Sequence, residues 1–407
     1  MRYRLNLLKR ILEDIFIFPF VAWGRWRAGA EPLGAEYEIY FFFPFCHVGG
    51  AEKVHATLTR AFADRKALIV FTRKSDNSAL LSLFQSSGHR IMDISAFTDN
   101  KRKYWQNLVW RGKFSQYINQ QRSDTLVLNG QCNFAYKLSP WINNKVPQVE
   151  LSHSFNSFSY IRIPFIPFYD TTVMISRKRI DDHRLQYQRW GIPFKYNANI
   201  HYIINGIDLP PAPLARKGQK PVLRILYSGR ATPEKRVHWI AGLAQKAHEL
   251  GLPAEFVFMG DVKDEIPENL RRFCIFLGNL SEPEKIASQY QQADVVLLSS
   301  STEGFPMVVE EGMAWGCAIL ATPVGDIPVH VKPGQNGFLF DEELEEDAFI
   351  AQGVEFIRML RGEPALLTRI SENNIRYARE IFGFENFRRA WRKLIEEIFQ
   401  NKNNSGH

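Results

Sequence analysis

The amino-acid sequence predicts an α/β protein of two domains, each an open, doubly wound parallel sheet covered by helices. Apolar, β-rich runs alternate with helical patterns in both halves of the chain, and a proline-rich segment separates the two series. The length of 407 residues also exceeds what one hydrophobic core usually holds. Hydrophobic residues make up 45% and charged residues 23% of the chain, which excludes a disordered or fibrous protein.

Residues 1–35 are predicted to form an amphipathic, membrane-interfacial leader. Four of its first ten residues are basic, and an apolar run from Ile15 to Trp23 follows. That run is about half as long as a transmembrane helix requires, and Pro19 interrupts it. Arg25 and Trp26 are residue types that favour the headgroup boundary. We interpret the leader as a segment lying on an anionic membrane surface; a cleaved signal peptide and a helix packed on its own domain are the alternatives.

Residues 36–204 are predicted to form the first domain, in which strand-like runs such as "EIYFFFPF", "ALIVFTR" and "TTVMISR" each precede a helical pattern. Residues 1–200 contain 28 Lys and Arg against 15 Asp and Glu, a balance of +13, whereas residues 201–407 contain 23 against 28, a balance of −5. The first domain is therefore expected to meet an anionic partner, unless the imbalance reflects only two solvated faces of unequal composition. Basic and aromatic residues interleave in "KRKYWQNLVWRGKF" at helical spacing, which favours packing over nucleic-acid binding.

Residues 205–221, "NGIDLPPAPLARKGQKP", contain four prolines and two glycines and are predicted to be a linker. Residues 222–380 are predicted to form the second domain, from "LRILYSGR" through "DVVLLSS" and "CAILATP" to "NGFLF". Residues 381–407 are predicted to be a C-terminal amphipathic helix and tail. Two such domains are expected to leave a cleft at the carboxyl ends of their sheets, where open parallel sheets bind ligands.

Two loops of the first domain are candidates for that ligand site. In "HVGGAE", Gly49 and Gly50 allow close backbone approach, and the helix after them offers free N–H groups to an anion. The loop lacks the spacing of a dinucleotide fingerprint, and the chain contains no Walker A sequence. His153 ends the predicted strand "VPQVELSH" and is a candidate catalytic residue, although a histidine there is commonly a structural hydrogen-bonding group. His47 has a similar but weaker position.

Two cations in "YSGRATPEKR" indicate a diphosphate site. Thr232 is expected to cap a helix with Pro233 at its first position. Lys235 then lies in the first turn, where the helix dipole disfavours a cation. Two cations, Lys235 and Arg230, are nevertheless expected at this helix end if an anion binds between them.

Glu303 and Glu311 are the carboxylate candidates, in "SSSTEGFPMVVEEGMAWGCAILATP". Glu303 follows a predicted strand directly, and Gly304 shapes the turn into the helix that holds Glu311. Eight helical residues rise about 12 Å, which is too far for the carboxylate pair of a retaining glycosidase. The two carboxylates are instead expected to hold hydroxyl groups at the two ends of one ligand. Hydroxyls at both ends and phosphates in the middle describe a nucleotide sugar.

The four cysteines are scattered, without a C-x-x-C pair or a histidine spaced to complete a zinc site. This favours a reduced, cytoplasmic compartment over a disulfide framework. No metal site is predicted.

Taken together, the motifs resemble the retaining glycosyltransferases of family 4, which have the GT-B fold of two Rossmann-like domains with an interdomain cleft. "EGFPMVVEEGMAWG" is similar to the family's E-x7-E signature, "SGRATPEKR" to its diphosphate clamp and "INGID" to its entry into the linker. The resemblance covers nearly the whole chain after about residue 36. It departs from the family at Gly312, where Ala is commoner, and at Asp326, where a second Gly is usual.

The resemblance implies a role for each matching residue. Glu303 would contact the transferred sugar, with Gly304 and Phe305 beside it in the donor site. Glu311 would bind the ribose hydroxyls, and Arg230 and Lys235 would neutralise the diphosphate.

In the first domain, the resemblance places His153 near the reacting sugar and Gly49 and Gly50 at the donor. The last helix would cross back to the first domain. The first domain would bind the acceptor, and the only co-substrate implied is a nucleoside-diphosphate sugar, with no cofactor and no metal.

The expected activity is therefore retaining, metal-independent transfer of a hexosyl unit to a saccharide or lipid-linked acceptor in cell-envelope polysaccharide or lipopolysaccharide biosynthesis. The expected location is cytoplasmic and peripheral, on the inner face of the cytoplasmic membrane. A sugar-nucleotide epimerase of the same fold and a non-catalytic membrane-surface binding protein are the alternatives.

Overall fold

The computed structural model of the protein describes residues 2–47, 49–122, 124–212, 217–218 and 220–405. The chain forms two compact units: unit 1 contains Met1–Asn205 and Phe387–His407, and unit 2 contains Gly206–Asn386. Of the predicted linker, residues 213–216 and 219 lie outside the described residues.

Unit 1 is built on a parallel sheet, to which its described residues contribute seven strands in the order β3-β2-β1-β4-β5-β6-β7. The strands are β1 (Ile39–Phe43), β2 (Ala67–Phe71), β3 (Arg90–Asp93), β4 (Leu126–Asn129), β5 (Gln148–Ser152), β6 (Thr171–Met174) and β7 (Ile200–Tyr202). Every residue of β1 is buried, because helices cover both faces of the sheet. The strand order reverses between β1 and β4, which makes their carboxyl ends the switch point where such sheets bind ligands.

The helices of unit 1 connect these strands. They are α1 (Arg2–Ala30), α2 (Gly50–Ala61), α3 (Leu81–Gln85), α4 (Ser95–Thr98), α5 (Tyr104–Asn119), α6 (Asn133–Leu138), α7 (Phe158–Ile161) and α8 (Arg177–Trp190). Unit 1 also contains a buried ion pair between Arg162 and Glu150, and the Glu150 carboxylate accepts further hydrogen bonds from Tyr136 and Thr172. These partners satisfy charges that would otherwise be costly to bury.

Unit 2 repeats the architecture, with six parallel strands among its described residues in the order β10-β9-β8-β11-β12-β13. The strands are β8 (Leu223–Ser228), β9 (Ala254–Met259), β10 (Cys274–Gly278), β11 (Val295–Leu298), β12 (Ala318–Ala321) and β13 (Gly337–Leu339). The helices are α9 (Val237–Glu249), α10 (Glu268–Arg271), α11 (Pro283–Gln292), α12 (Met307–Ala314), α13 (Ile327–His330), α14 (Glu346–Gly362) and α15 (Pro364–Ile381). Here the switch point lies between β8 and β11.

The last helix, α16, runs from Phe384 to Ser405, and its residues from Phe387 onward belong to unit 1. Trp391 is fully buried, and the guanidinium of Arg392 donates to the Ala61 carbonyl at 3.2 Å and forms an ion pair with Asp64. The end of the chain is therefore fastened to the same unit as its beginning.

The leader forms one continuous helix, α1, which includes Pro19 in its interior. One face packs on α5, where Gly24 and Gly112 lie so close that a Cβ atom on either would meet the other helix's backbone at 2.0–2.1 Å. The other face is exposed and carries large apolar side chains at spacings of one to three residues. They are Leu5, Leu8, Ile11, Leu12, Ile15, Phe16, Phe18, Phe20, Trp23 and Trp26. Among the described residues, no helix is long and apolar enough to cross a membrane.

Candidate functional site

In unit 2, the cation Lys235 and the carboxylate Glu303 meet at the carboxyl ends of β8 and β11. Lys235 belongs to the loop after β8, and Glu303 to the loop after β11. The Lys235 Nζ lies 2.5 Å from Glu303 Oε1, and the two side chains are only 18% and 11% exposed. Water screens such a pair less than it screens a surface pair, so the two charges largely neutralise each other.

The local conformation at Lys235 corrects the predicted helix start. Thr232 was expected to cap one helix with Lys235 in its first turn. Instead, residues Pro233–Lys235 form a 3-10 turn, and the Thr232 hydroxyl bonds the Glu234 carboxylate rather than a backbone N–H group. Arg236 then takes a left-handed conformation with φ 47°, which separates the turn from α9.

Distant carbonyl groups account for the unusual backbone of Arg236. Its guanidinium donates to the carbonyls of Ser299 at 2.6 Å and Ser300 at 2.9 Å, and it lies 3.9 Å from the ring centre of Trp239. The Ser299 hydroxyl donates back to the Lys235 carbonyl at 2.7 Å. The loops after β8 and β11 are thus bound to each other, which fixes the position of Lys235.

Glu311, the second carboxylate of the E-x7-E pattern, is oriented by a buried tyrosine. It lies half-buried in α12, and Tyr290 of α11 donates its hydroxyl to Glu311 Oε2 at 2.6 Å. Burial and the adjacent Glu311 charge raise the pKa of Tyr290 well above its ordinary value, so its hydroxyl is a protonated donor. One carboxylate oxygen of Glu311 is thereby held by the protein itself.

The turn between Glu303 and α12 is held by a second loop. The Gly304 carbonyl accepts a hydrogen bond from the Asp326 N–H at 2.8 Å. Gly325 has φ 61°, and a Cβ atom there would lie 2.2 Å from the Gly304 oxygen, so only glycine fits this approach. The side chain of Phe305 is 3% exposed and packs 4.4 Å from the His330 ring centre. The Phe305 side chain therefore anchors the turn between Glu303 and α12.

Arg230 and Gly312 complete the predicted residues of unit 2. The Arg230 side chain is exposed, and its carbonyl accepts from the Tyr227 hydroxyl at 2.8 Å. A Cβ atom at Gly312 would meet Val296 Cγ2 at 2.7 Å, so this departure from the family pattern allows α12 to pack closely on β11.

In unit 1, the glycine loop has a carboxylate beside it. Gly49 is extended, and a Cβ atom there would lie 2.1 Å from Glu52 Oε2. Glu52 lies in the first turn of α2, where the helix dipole favours a negative charge, and His47 Nε2 is 3.7 Å from its Oε1. The chain's own carboxylate thus lies at the helix end predicted to receive an anion, and the donor-binding role of Gly49 and Gly50 stays a prediction.

His153 follows β5 and is bonded to a second histidine. Its Nε2 lies 2.8 Å from the Nε2 of His55 on α2, and both rings are buried. Burial lowers the pKa of His153 to about 4, and burial followed by the neighbouring His153 lowers the pKa of His55 well below its ordinary value. Both imidazoles are therefore neutral near pH 7. Gln131 adds a further contact, because its Oε1 accepts the His153 backbone N–H at 3.2 Å.

The structure thus brings Lys235 and Glu303 together within unit 2 and gives Glu311 a tyrosine partner. Sequence reasoning missed Tyr290, His55 and Gln131. Tyr290 and His55 lie within helical patterns like ordinary core residues, and nothing local indicates the left-handed φ of 56° at Gln131. In the described ranges, no group of three or more His, Cys, Asp or Glu side chains is arranged to hold a metal ion.

Residues 222–358, which lie within unit 2, match the family model described as Glycosyl transferases group 1. An uncharacterized glycosyltransferase of Haemophilus influenzae is 21% identical over 368 residues, which cover 88% of this chain and 99% of the relative. The lipopolysaccharide 1,2-N-acetylglucosaminetransferase of Salmonella typhimurium is 30% identical over 141 residues, 31% of this chain and 37% of the relative. Several further curated relatives, named D-inositol 3-phosphate glycosyltransferases, also match over at most 33% of their own length.

Among solved structures, Anabaena HepE in complex with UDP-glucose superposes with a TM-score of 0.68 at 17% identity, covering 89% of this chain and 100% of that chain. Two parallel α/β units of this kind define the GT-B fold class, and the predicted fold class is confirmed. The group 1 domain in unit 2 and the glycosyltransferase relatives then identify the activity. This chain is a glycosyltransferase.

Proposed function

We propose that the protein is a retaining, metal-independent hexosyltransferase of the family 4 type, which takes a nucleoside-diphosphate sugar as donor. The observation that carries this proposal is the Lys235–Glu303 contact, which joins a cation and a carboxylate of the two signature motifs at one sheet edge. The donor class agrees with the UDP-glucose complex of the similar HepE structure.

The proposed roles follow from the chemistry of each group. Lys235 and Arg230 neutralise the charge that develops on the departing diphosphate, which is the main demand of the transfer step. Glu303 binds hydroxyls of the transferred sugar, and Glu311 binds those of the ribose with its orientation set by Tyr290. His153 contacts the sugar as a neutral hydrogen-bonding group.

Calorimetry with UDP, GDP, ADP and CMP, with and without EDTA, tests the donor site. We expect one nucleoside diphosphate to bind regardless of EDTA. Lys235→Ala should weaken its binding about 10- to 100-fold, because the diphosphate loses a cationic partner and meets the Glu303 carboxylate without its counter-charge. Lys263→Ala is the matched control, since Lys263 begins another 3-10 turn of unit 2, Lys263–Glu265. Equal losses in both variants, or no binding of any nucleotide, would contradict the proposal.

Product analysis separates transfer from epimerisation. With the selected nucleotide sugar and membrane lipid or polysaccharide extracts, we expect a new glycoside whose anomeric configuration matches the donor. Formation of a different nucleotide sugar in the absence of any acceptor would instead establish the epimerase alternative.

We further propose that the acceptor is lipid-linked or part of an envelope saccharide and is met at an anionic membrane surface, on the inner face of the cytoplasmic membrane. The exposed apolar face of α1 supports this, as do basic residues in Lys101–Lys103, immediately before α5. Trp105 of α5 stacks on Trp23 of α1 at 5.7 Å, so aromatic rings border the same face. The partial match to the Salmonella lipopolysaccharide enzyme agrees with such an acceptor.

Vesicle co-sedimentation tests the surface. Phe16 and Trp26 are 79% and 71% exposed on α1, whereas Phe194 is 84% exposed elsewhere in unit 1. We expect Phe16→Ser with Trp26→Ser to reduce binding to phosphatidylglycerol vesicles at least tenfold, because apolar area no longer enters the interface. Phe194→Ser should bind like the wild type; if it loses as much, α1 is not the contact surface.

A further inference from the structure

Tyr104, the tyrosine that begins α5, lies between two cations of unit 1. Its hydroxyl accepts hydrogen bonds from the Arg111 guanidinium at 2.6 Å and from Lys137 Nζ of α6 at 3.1 Å. Arg111 Cζ and Lys137 Nζ each lie 5.7 Å from the centre of the tyrosine ring. Tyr104 is 44% exposed, so a ligand can reach this arrangement from outside the protein.

The Tyr104 hydroxyl has a proton to donate and no described residue that accepts it. A tyrosine hydroxyl has two lone pairs and one proton, and here the two cations use the lone pairs. Although burial alone would raise the pKa of Tyr104, the adjacent Arg111 and Lys137 charges lower it below its ordinary value. The hydroxyl is therefore a strong donor, and its surroundings favour an acceptor that carries negative charge.

Arg111 is a buried cation without a hydrogen-bonded carboxylate. It is 4% exposed, and its hydrogen-bond partners are the uncharged side chains of Tyr104 and Asn107. The carboxylates of Glu13 and Asp14 on α1 act on it from a distance, without a hydrogen bond. Because a buried charge is costly unless it is paired, an anion that approaches this guanidinium is stabilised by it.

Further cations surround the start of α5. Lys137 is half-buried and the residues Lys101–Lys103 are exposed, and none of them forms an ion pair within the part of the chain that the structure describes. Asn100 orders this run, because its side chain accepts the backbone N–H groups of Arg102 and Lys103. Phosphate is the anion that best fits such a cluster, since its oxygens accept several charge-assisted hydrogen bonds at once.

The start of α5 lies at the carboxyl edge of the unit 1 sheet. The Asn107 side chain donates to the Thr98 carbonyl at 2.9 Å, and the Thr98 hydroxyl donates to the carbonyl of Thr72, directly after β2, at 2.6 Å. Trp105 in turn stacks on Trp23 of α1, whose exposed face is apolar. A ligand held here is therefore bordered both by an apolar surface and by the sheet edge at which open parallel sheets bind ligands.

We infer that Tyr104, Arg111 and Lys137 form a binding site for the phosphate group of a membrane lipid. The Tyr104 hydroxyl and the Lys137 ammonium donate to the phosphate oxygens, Arg111 supplies a buried positive charge, and the apolar chains of the lipid lie beside the exposed face of α1. The place of this site in the reaction rests on the proposed lipid-linked acceptor, whereas lipid binding itself does not depend on turnover.

Co-sedimentation with vesicles of phosphatidylcholine and phosphatidic acid tests the site. Tyr104→Phe removes the hydroxyl but keeps the ring and the net charge. We expect it to weaken vesicle binding about tenfold, because a hydrogen bond to an anion is lost. Tyr160→Phe is the matched control, since Tyr160 is 46% exposed in the same unit, and it should bind like the wild type.

The same assay with Lys137→Gln tests the cation. We again expect a loss of about tenfold, because a charge-assisted hydrogen bond to the phosphate is removed. Lys66→Gln is the control for the lost charge. Lys66 also lies beside a tyrosine, 6.0 Å from the ring centre of Tyr37, but it immediately precedes β2, at the opposite edge of the sheet. This variant should bind like the wild type, because solvent and salt screen a distant charge.

Wild-type binding by Tyr104→Phe would overturn the inference, because general attraction between opposite charges does not need the hydroxyl. Calorimetry with inorganic phosphate distinguishes a lipid from a soluble ligand. We expect inorganic phosphate to bind more weakly than the vesicles, since it has no apolar chains. Equally tight binding of inorganic phosphate that is lost in Tyr104→Phe would show that the site takes a soluble phosphate, and the lipid assignment would be wrong.

The double variant Phe16→Ser with Trp26→Ser separates this site from the proposed membrane surface. If the double variant loses vesicle binding while Tyr104→Phe keeps it, the surface stands and the phosphate site fails. If neither vesicles nor inorganic phosphate bind the wild type, the site and the surface both fail, whereas nucleotide calorimetry still decides the donor.

Discussion

At the scale of single residues, the two candidate carboxylates of unit 2, Glu303 and Glu311, have different partners. Glu303 pairs with Lys235, whose four-carbon side chain is flexible. Glu311 instead accepts a hydrogen bond from the buried hydroxyl of Tyr290, whose ring is held in one orientation. A lysine can leave its carboxylate to follow a phosphate, but Tyr290 is fully enclosed. We therefore regard Glu311 as preset for its ligand and Glu303 as adjustable.

Tyr290→Phe tests the preset carboxylate, because it removes one hydroxyl without changing the ring. We expect the free energy of unfolding to fall by about 1–3 kcal/mol, since the half-buried Glu311 loses a hydrogen bond. Nucleotide affinity should fall severalfold through loss of orientation. Chemical denaturation and calorimetry measure the two effects, and an unchanged nucleotide affinity would show that Tyr290 contributes to stability alone.

The residue scale also shows where sequence reasoning stops. Glu303 was located correctly after a strand because "DVVLLSS" is an apolar run that ends in small polar residues. The turn at Lys235 was not predicted. The left-handed conformation of Arg236 is stabilised by the carbonyls of Ser299 and Ser300, which lie 63 and 64 residues further along the chain. His55 was missed for a similar reason, since its partner lies 98 residues further along the chain.

At the scale of elements, α1 shows one of the arrangements that its sequence allowed, a helix packed on its own domain, whereas its contact with a membrane stays a prediction. One face is packed on unit 1 through the Gly24–Gly112 approach, and the other is exposed and apolar. The hydrophobic pattern indicates both faces but does not specify which one meets the protein. The two glycines decide this, because only they allow the helix backbones to touch.

Gly112→Ala should therefore separate α1 from α5. Its Cβ atom would lie 2.1 Å from the Val21 carbonyl oxygen, and backbone atoms on both sides cannot yield cheaply. We expect a loss of about 2–4 kcal/mol in the free energy of unfolding, together with faster proteolysis within α1. Gly29→Ala is the control in α1, because nothing lies within 4 Å of its Cβ position, and it should be neutral or slightly stabilising. Similar behaviour of the two variants would contradict this packing.

At the scale of the whole molecule, stability should depend on pH through buried neutral histidines. Burial lowers the pKa of His153 and of His183 to about 4, whereas both titrate near 6.5 in the unfolded chain. Below pH 6.5 the unfolded state binds more protons, so the stability present above that pH is lost progressively as the pH falls towards 4. Each group contributes about 1.4 kcal/mol per pH unit in that window.

Urea denaturation at about pH 7, 6 and 5 checks this dependence. His183→Gln should reduce the slope of the unfolding free energy against pH by the equivalent of about one proton, because His183 is fully buried and its Nδ1 bonds the carbonyl of Arg179, four residues earlier. A slope equal to that of the wild type would mean that His183 is not neutral in the fold.

The two α/β units themselves were predictable, since buried strands such as "IYFFF" and "ALIVF" are continuous apolar runs bounded by polar loops. The contacts between loops that are distant in sequence could not be predicted, and the candidate site depends on those contacts.

The Lys235–Glu303 pair should affect how nucleotide affinity depends on salt concentration. A diphosphate that takes Lys235 must displace a carboxylate, so binding exchanges one ion pair for another rather than creating a new one. Added salt weakens both pairs, and its effects partly cancel. Nucleotide binding should consequently tolerate ionic strength better than the number of charges suggests. In the proposed reaction, the Glu303 carboxylate would return to Lys235 after transfer and so compete with the spent nucleotide.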